Sequence, residues 1–208
     1  MARKNRVTVI DGIYHVCSRI ANQAMYLKPD EVKDKIFAWM LDIAHFSGVD
    51  VYAWCIMDNH LHLLVHVPRV PKRFWNDPSI EPDAWAFGMR PPECRDRLWY
   101  PDGDSPQPRP LPRPETGFML DDEEMLARLA SLYSPKTAEN IGKRWGKLRS
   151  IGCGACVDEE KDGYCRRMYN LSQFLKTLKE RIAMRYNREY KHSGCLWQGR
   201  FYSGAGFW

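Results

Sequence analysis

The sequence predicts an α+β fold: a ferredoxin-like sandwich with an antiparallel sheet, helices on one face, and a proline-rich insertion. Three observations carry this. Up to Pro68 the chain reads strand, helix, strand, hairpin, strand, which opens a ferredoxin-like unit. Twelve of the fourteen prolines then crowd between Pro68 and Pro114, so the unit is interrupted there. Near the end comes a long amphipathic helix followed by a β-rich segment, which resumes the unit.

The elements follow in order. "GIYHVCSRI" (Gly12 to Ile20) alternates and is rich in β-formers, the pattern of a strand. In "KPDEVKDKIFAWMLDIAHFSG", Asp30 reads as an N-cap, and Val32, Ile36, Phe37, Met40, Leu41 and Ala44 recur at helical spacing until Gly48 stops the helix. "VDVYAWCIM" (Val49 to Met57) is a strand, Asp58-Asn59 a tight turn, and "HLHLLVHV" (His60 to Val67) the returning strand. Residues 69–120 read as an extended, polyproline-like insertion or loop. "DDEEMLARLASLY" (Asp121 to Tyr133) is a capped helix with acid in its first turn. "PKTAENIGKRWGKLRSIG" is a helix weakened by Gly142 and Gly146, and "CGACVDEEKDGYC" reads as a loop. Leu171, Phe174, Leu175, Leu178, Ile182 and Tyr186 form the stripe of the last helix, which Gly194 closes, and "CLWQGRFYS" reads as the final strand.

No run of eighteen apolar residues predicts a membrane span, and the basic N-terminus has no apolar core of a signal peptide, so the expected location is the cytoplasm. Seven cysteines, an odd number without a secretion signal, point to free thiols or a metal site rather than a disulfide framework. The net charge of +5 is modest, but nine Lys/Arg against two Asp/Glu fall between Arg166 and Arg200. That segment also carries Tyr186, Tyr190, Trp197, Phe201 and Tyr202. Cations with interleaved rings suit a nucleic-acid surface, and a solvated helix face is the plainer reading.

Three of the six histidines lie in "CIMDNHLHLLVHVP". His60 and His62, two apart on a strand, share one face, which makes them a bidentate metal clamp or two solvent-facing rings. His66 shares that face but stands about 13 Å along the strand from His62, too far to join the same ion.

"AWCIMDNHLHLLVHVP" resembles the REP-associated tyrosine transposases, relatives of the insertion-sequence-200-like transposases, in which a Met-x-Asn-His turn leads into a His-hydrophobic-His (HUH) strand. "YHVCSRI" is similar to that family's opening strand, and "NLSQFLKTLKERIAMRYNREYKHSGCLWQGRFYS" to its nucleophile helix and following strand. The resemblance covers Tyr14 to Pro68 and Asn170 to Ser203 and leaves the middle unmatched. It implies a single-tyrosine HUH endonuclease acting in DNA transposition. Such an enzyme cleaves and rejoins single-stranded or hairpin DNA through a phosphotyrosine, with magnesium or manganese polarising the phosphate. It also implies a homodimer. Carried over to this chain, His60 and His62 are metal ligands and Asn187 the third.

The family's usual nucleophile position falls at Ile182, which cannot attack a phosphate. Tyr186, one turn on, is the catalytic candidate. It also reads as a stripe residue or a base-stacking ring, and Tyr190 repeats the same face. Members of the family continue past the segment matching "RFYS", so the chain reads as C-terminally truncated relative to them. Lys179, Arg185, Arg188, Lys191 and Arg200 are the candidate DNA contacts, and Trp197 reads as core before base platform. Cys153, Cys156 and Cys165 are candidate ligands of a structural zinc, short of the four it needs. The competing functions are a DNA-binding module of the same fold without catalysis, and a phosphodiesterase that uses the histidine pair on small substrates.

Overall fold

The structure, a computed structural model, describes residues 11–74, 118–199 and 201–206. A four-stranded antiparallel sheet is built from β1 (Gly12–Arg19), β2 (Asp50–Ile56), β3 (His60–Val67) and β4 (Tyr202–Gly206). Their order across the sheet is β2-β3-β1-β4. With α1 (Asp30–Ser47) between β1 and β2 and α5 (Leu171–Glu189) before β4, this is the ferredoxin-like arrangement.

Alternation decides the layers. β1 turns Tyr14 and Val16 inward, and β3 turns Leu61, Leu63, Val65 and Val67 inward. Val32, Ile36, Met40 and Ile43 of α1 and Leu171, Phe174, Leu175, Leu178 and Ile182 of α5 complete the same core. The other sheet face carries His15, Cys17, His60, His62 and His66, and among the described residues no helix of that core lies on it.

Three helices fill the chain between β3 and α5: α2 (Asp122–Leu132), α3 (Pro135–Ser150) and α4 (Gly154–Cys165). α2 is capped by Asp121, whose carboxylate accepts the Glu124 amide. A Cβ on Gly142 of α3 would come within 2.9 Å of Leu126 of α2, so this glycine permits close approach of the two helices. α4 docks through Lys161, a lysine only 4% exposed, whose Nζ donates to Asp122 at 2.8 Å. Trp145, also buried, donates its indole N–H to Glu160 at 3.0 Å. Gly48 ends α1 at φ 65° with the Tyr169 ring packed where a Cβ would stand.

Several expectations change. Helix α1 begins at Asp30 itself, behind Pro29, so Asp30 is not the cap, and Leu41 is 46% exposed rather than in the stripe. Residues 154–165 are helix, not loop. The last strand starts at Tyr202, because Trp197 is drawn into the core and its indole N–H donates to the Lys179 carbonyl at 3.0 Å. Among the described residues between Cys195 and Phe201, Trp197 makes an isolated bridge to Ile20. Helix α5 stops at Glu189, before Gly194. The ends of the proline-rich segment belong to the core: Val70, Phe74, Phe118 and Leu120 are buried, and the Met119 amide donates to the Phe74 carbonyl at 2.7 Å. Its residues 75–117 lie outside the described ones.

Candidate functional site

On the outward face, register sets what meets what. Cys17 of β1 pairs opposite His62 and Arg19 opposite His60. Cys55 of β2 pairs opposite His62 from the other side, and Tyr202 of β4 opposite Cys17. Directly opposed residues point to one side. Tyr202, Cys17, His62 and Cys55 therefore form one row across four strands.

The His60 and His62 rings stand 5.0 Å apart, nearly perpendicular. Each has a neighbour on Nδ1. Asn59 Oδ1 lies 2.7 Å from His60 Nδ1, and His15 Nε2 lies 3.1 Å from His62 Nδ1. Cys17 Sγ is 3.9 Å from His62 Nε2. Burial, then the nearby positive charges of His60, His15 and Arg19, holds His62 below the ordinary histidine pKa. That favours the neutral imidazole, the form that ligates metals.

This donor set fits a divalent ion in part. Nδ1 of each ring has a partner, so Nε2 is the nitrogen either ring could offer an ion, with the Cys17 thiol 3.9 Å from that of His62. Imidazole nitrogens suit a first-row transition ion better than magnesium. Among the described residues no group of three or more His, Cys, Asp and Glu side chains is arranged to hold a metal ion.

His66 is separate. Its Nδ1 lies 2.9 Å from Asp50 and its Nε2 2.9 Å from Asp11, with the Tyr52 ring alongside. Both nitrogens are engaged, by carboxylates that hold His66 apart from the His60–His62 pair.

Residues 8–72 match the family model described as Transposase IS200 like. That segment is similar to IS200-like transposases, and it contains His15, Cys17, Asn59, His60 and His62. The match covers less than half of the 208 residues and stops short of α5. No curated protein matches the chain.

Outside the IS200-like segment the candidates scatter. Ile182 is 1% exposed and lies wholly in the core. Tyr186 is half-buried in an aromatic cluster, 4.7 Å from the ring of Tyr26, 5.0 Å from Tyr190 and 5.4 Å from His192. Tyr26 belongs to the segment that braces the hairpin turn, where the Leu27 amide donates to Asp58 at 2.9 Å. Tyr186 therefore stands at the His60 end of the sheet, in the helical layer. Asn187 donates from Nδ2 to the Gly194 carbonyl at 3.3 Å, and its Oδ1 meets His192 Nδ1 at 3.3 Å. In this arrangement it braces the turn after α5.

Lys179 donates to the Gly199 carbonyl at 2.7 Å and lies over the Trp197 ring. Arg185 pairs with Glu189 at 3.1 Å. Arg188 and Lys191 are exposed. Arg200 lies outside the described residues. Of the aromatic residues in this segment, Trp197 and Phe201 are buried, while Tyr190 and Tyr202 are exposed.

The three candidate zinc ligands are not brought together. Cys156 and Cys165 sit nine residues apart on α4, about 13 Å of helix rise, so one ion does not take both. Cys165 is fully buried, and burial pushes its thiol up to about 11.

Sequence reading missed His15 and Cys17. The signal was present in the alternation of "YHVCSR", but only strand pairing shows which histidine these outward residues meet.

Proposed function

We propose that the chain is an HUH-type nuclease that cleaves and rejoins single-stranded, hairpin-tipped DNA, as a transposase of the REP-associated kind would. The observation that carries this is the His60–His62 pair. Both rings sit on the outward sheet face, each with a partner on Nδ1 and its Nε2 available to a metal once the Cys17 thiol moves from that of His62, inside a segment similar to IS200-like transposases. A bound manganese or magnesium ion supplies Lewis-acid polarisation of the scissile phosphate.

The chain's own residues do the rest. His60 and His62 bind through Nε2, and Asn187 is the proposed third ligand, which requires it to leave Gly194 and His192. Tyr186 is the proposed nucleophile and must likewise turn out of its aromatic cluster. Its Oη bonds to phosphorus as the bond to the 3′ oxygen breaks. The phenolic proton leaves, the 3′ oxygen gains one, and a 5′-phosphotyrosine remains. Rejoining is the reverse attack by a 3′ hydroxyl. Arg188 and Lys191 are the proposed phosphate contacts, joined by Lys179, Arg185 and Arg200.

One observation favours a second reading, a DNA-binding protein of the same fold without cleavage: Ile182 is fixed in the core at the position where the resemblance expects the nucleophile. Incubation with hairpin-tipped single-stranded DNA and manganese separates the two. The nuclease gives cleaved strands that disappear in His60→Ala, His62→Ala and Tyr186→Phe. A shifted but intact DNA, identical in all four proteins, leaves the binding protein.

A further inference from the structure

The neighbour of His62 on β1 enters the reading above only as the group that occupies His62 Nδ1. His15 is exposed, and its Nε2 lies 3.1 Å from His62 Nδ1 with the two ring planes within 3° of each other. Parallel rings with centroids 5.2 Å apart and nitrogens 3.1 Å apart meet edge to edge rather than face on face, which lets an N–H···N bond join them. It repeats on the second ring what Asn59 does on the first, where Oδ1 stands 2.7 Å from His60 Nδ1.

We propose that His15 is a positioning residue of the histidine clamp: its Nε2 accepts the Nδ1 proton of His62 and leaves the Nε2 lone pair of His62 facing the same space as that of His60. The inference rests on the metal reading for its purpose, but the contact itself does not. An oxygen of Asn59 can only accept, which fixes His60 with its proton on Nδ1. His15 gives His62 the same tautomer, provided His15 carries its own proton on its outer Nδ1. A ligating imidazole held this way loses one tautomer and one ring orientation before the ion arrives. The reverse bond, with His15 donating, would put the His62 proton on Nε2 and block that atom.

The experiment has two arms on the full chain. Long-range 1H–15N spectra of the metal-free protein read the His62 tautomer directly. The expected result is a proton on Nδ1 in the wild type and a mixture in His15→Ala. A proton on Nε2 in the wild type overturns the proposal. Manganese titrations followed by electron paramagnetic resonance form the second arm. His15→Ala is expected to weaken binding about ten- to a hundred-fold. His15→Gln, whose side-chain oxygen reaches the same place as an acceptor, restores most of it. Equal binding by wild type and His15→Ala overturns the proposal, and so does His15→Gln as weak as His15→Ala. Wild-type protein that takes up no manganese sinks the nuclease reading itself. The tautomer arm, run without metal, then decides the contact on its own.

Discussion

Asn59 Oδ1 lies 2.7 Å from Nδ1 of the very next residue, His60. The tight turn that starts β3 thus also orients the first ring of the clamp, while Asn59 Nδ2 donates to the Gln23 carbonyl at 3.5 Å and holds the amide in place. Asn59→Ala removes the acceptor and is expected to weaken manganese binding about ten-fold or more. Asn59→Asp, which keeps it, is expected to bind as well as wild type or better. Calorimetric titration of the three proteins checks this.

The exposed and buried aromatics should separate by assay. Tyr202 is 70% exposed and lies two strands, about 10 Å, from His62 in the row through Cys17. Its ring is placed to stack on a base. Tyr202→Ala is expected to weaken single-stranded DNA binding by about 1–3 kcal/mol and leave thermal stability unchanged. Trp197→Ala should do the opposite, with a loss of about 3–5 kcal/mol in denaturant unfolding, because that indole is buried and bonded to Lys179. Fluorescence anisotropy and urea unfolding on both variants test the division.

The thiols should differ in reactivity. Burial raises Cys165 to about 11, so at pH 8 it remains a thiol shielded by the core. Cys55, Cys156 and Cys195 are exposed. Iodoacetamide at pH 8, read by peptide mass spectrometry, is expected to label these three within minutes and Cys165 only after unfolding.

Asp122 gives the helical insertion its acid sensitivity. Burial alone would raise its pKa, but hydrogen bonds from Arg149 and Lys161 outweigh that and hold it below the ordinary carboxylate value of 3.8. A group whose folded pKa is depressed contributes stability above its unfolded pKa and loses it as pH falls through the folded one. The contribution is therefore full at neutral pH and fades below 3.8. Asp122→Asn leaves the buried Lys161 ammonium without its carboxylate and is expected to cost roughly 1–3 kcal/mol at pH 7. Urea unfolding should show this gap narrowing below pH 4.

Much of the fold was legible because its signals are local. Alternation in β1 and β3, the Asp58-Asn59 turn, and the stripes of α1 and α5 each follow from residues close in sequence. The errors arose where distant residues decide. Trp197 reads as core, but nothing local says that its indole will bond to α5 and delay the last strand to Tyr202. Cysteines and glycines at 153–165 read as loop because the anchoring of α4 depends on Asp122 of α2 meeting Lys161. The site divides the same way. His60 and His62 were visible as a spacing of two. His15 was not, because its partner is 47 residues away and only the β1–β3 register joins them. Tyr186 shares the stripe of Ile182 in sequence, yet the core takes Ile182 and leaves Tyr186 among the rings of Tyr26 and Tyr190.

The most direct test of the central claim is mass spectrometry of the protein after incubation with hairpin-tipped single-stranded DNA and manganese. The account predicts a nucleotide-bearing peptide modified at Tyr186, absent from the His60→Ala and His62→Ala proteins. DNA that is bound but uncut, with no tyrosine of the wild-type chain modified, would contradict it.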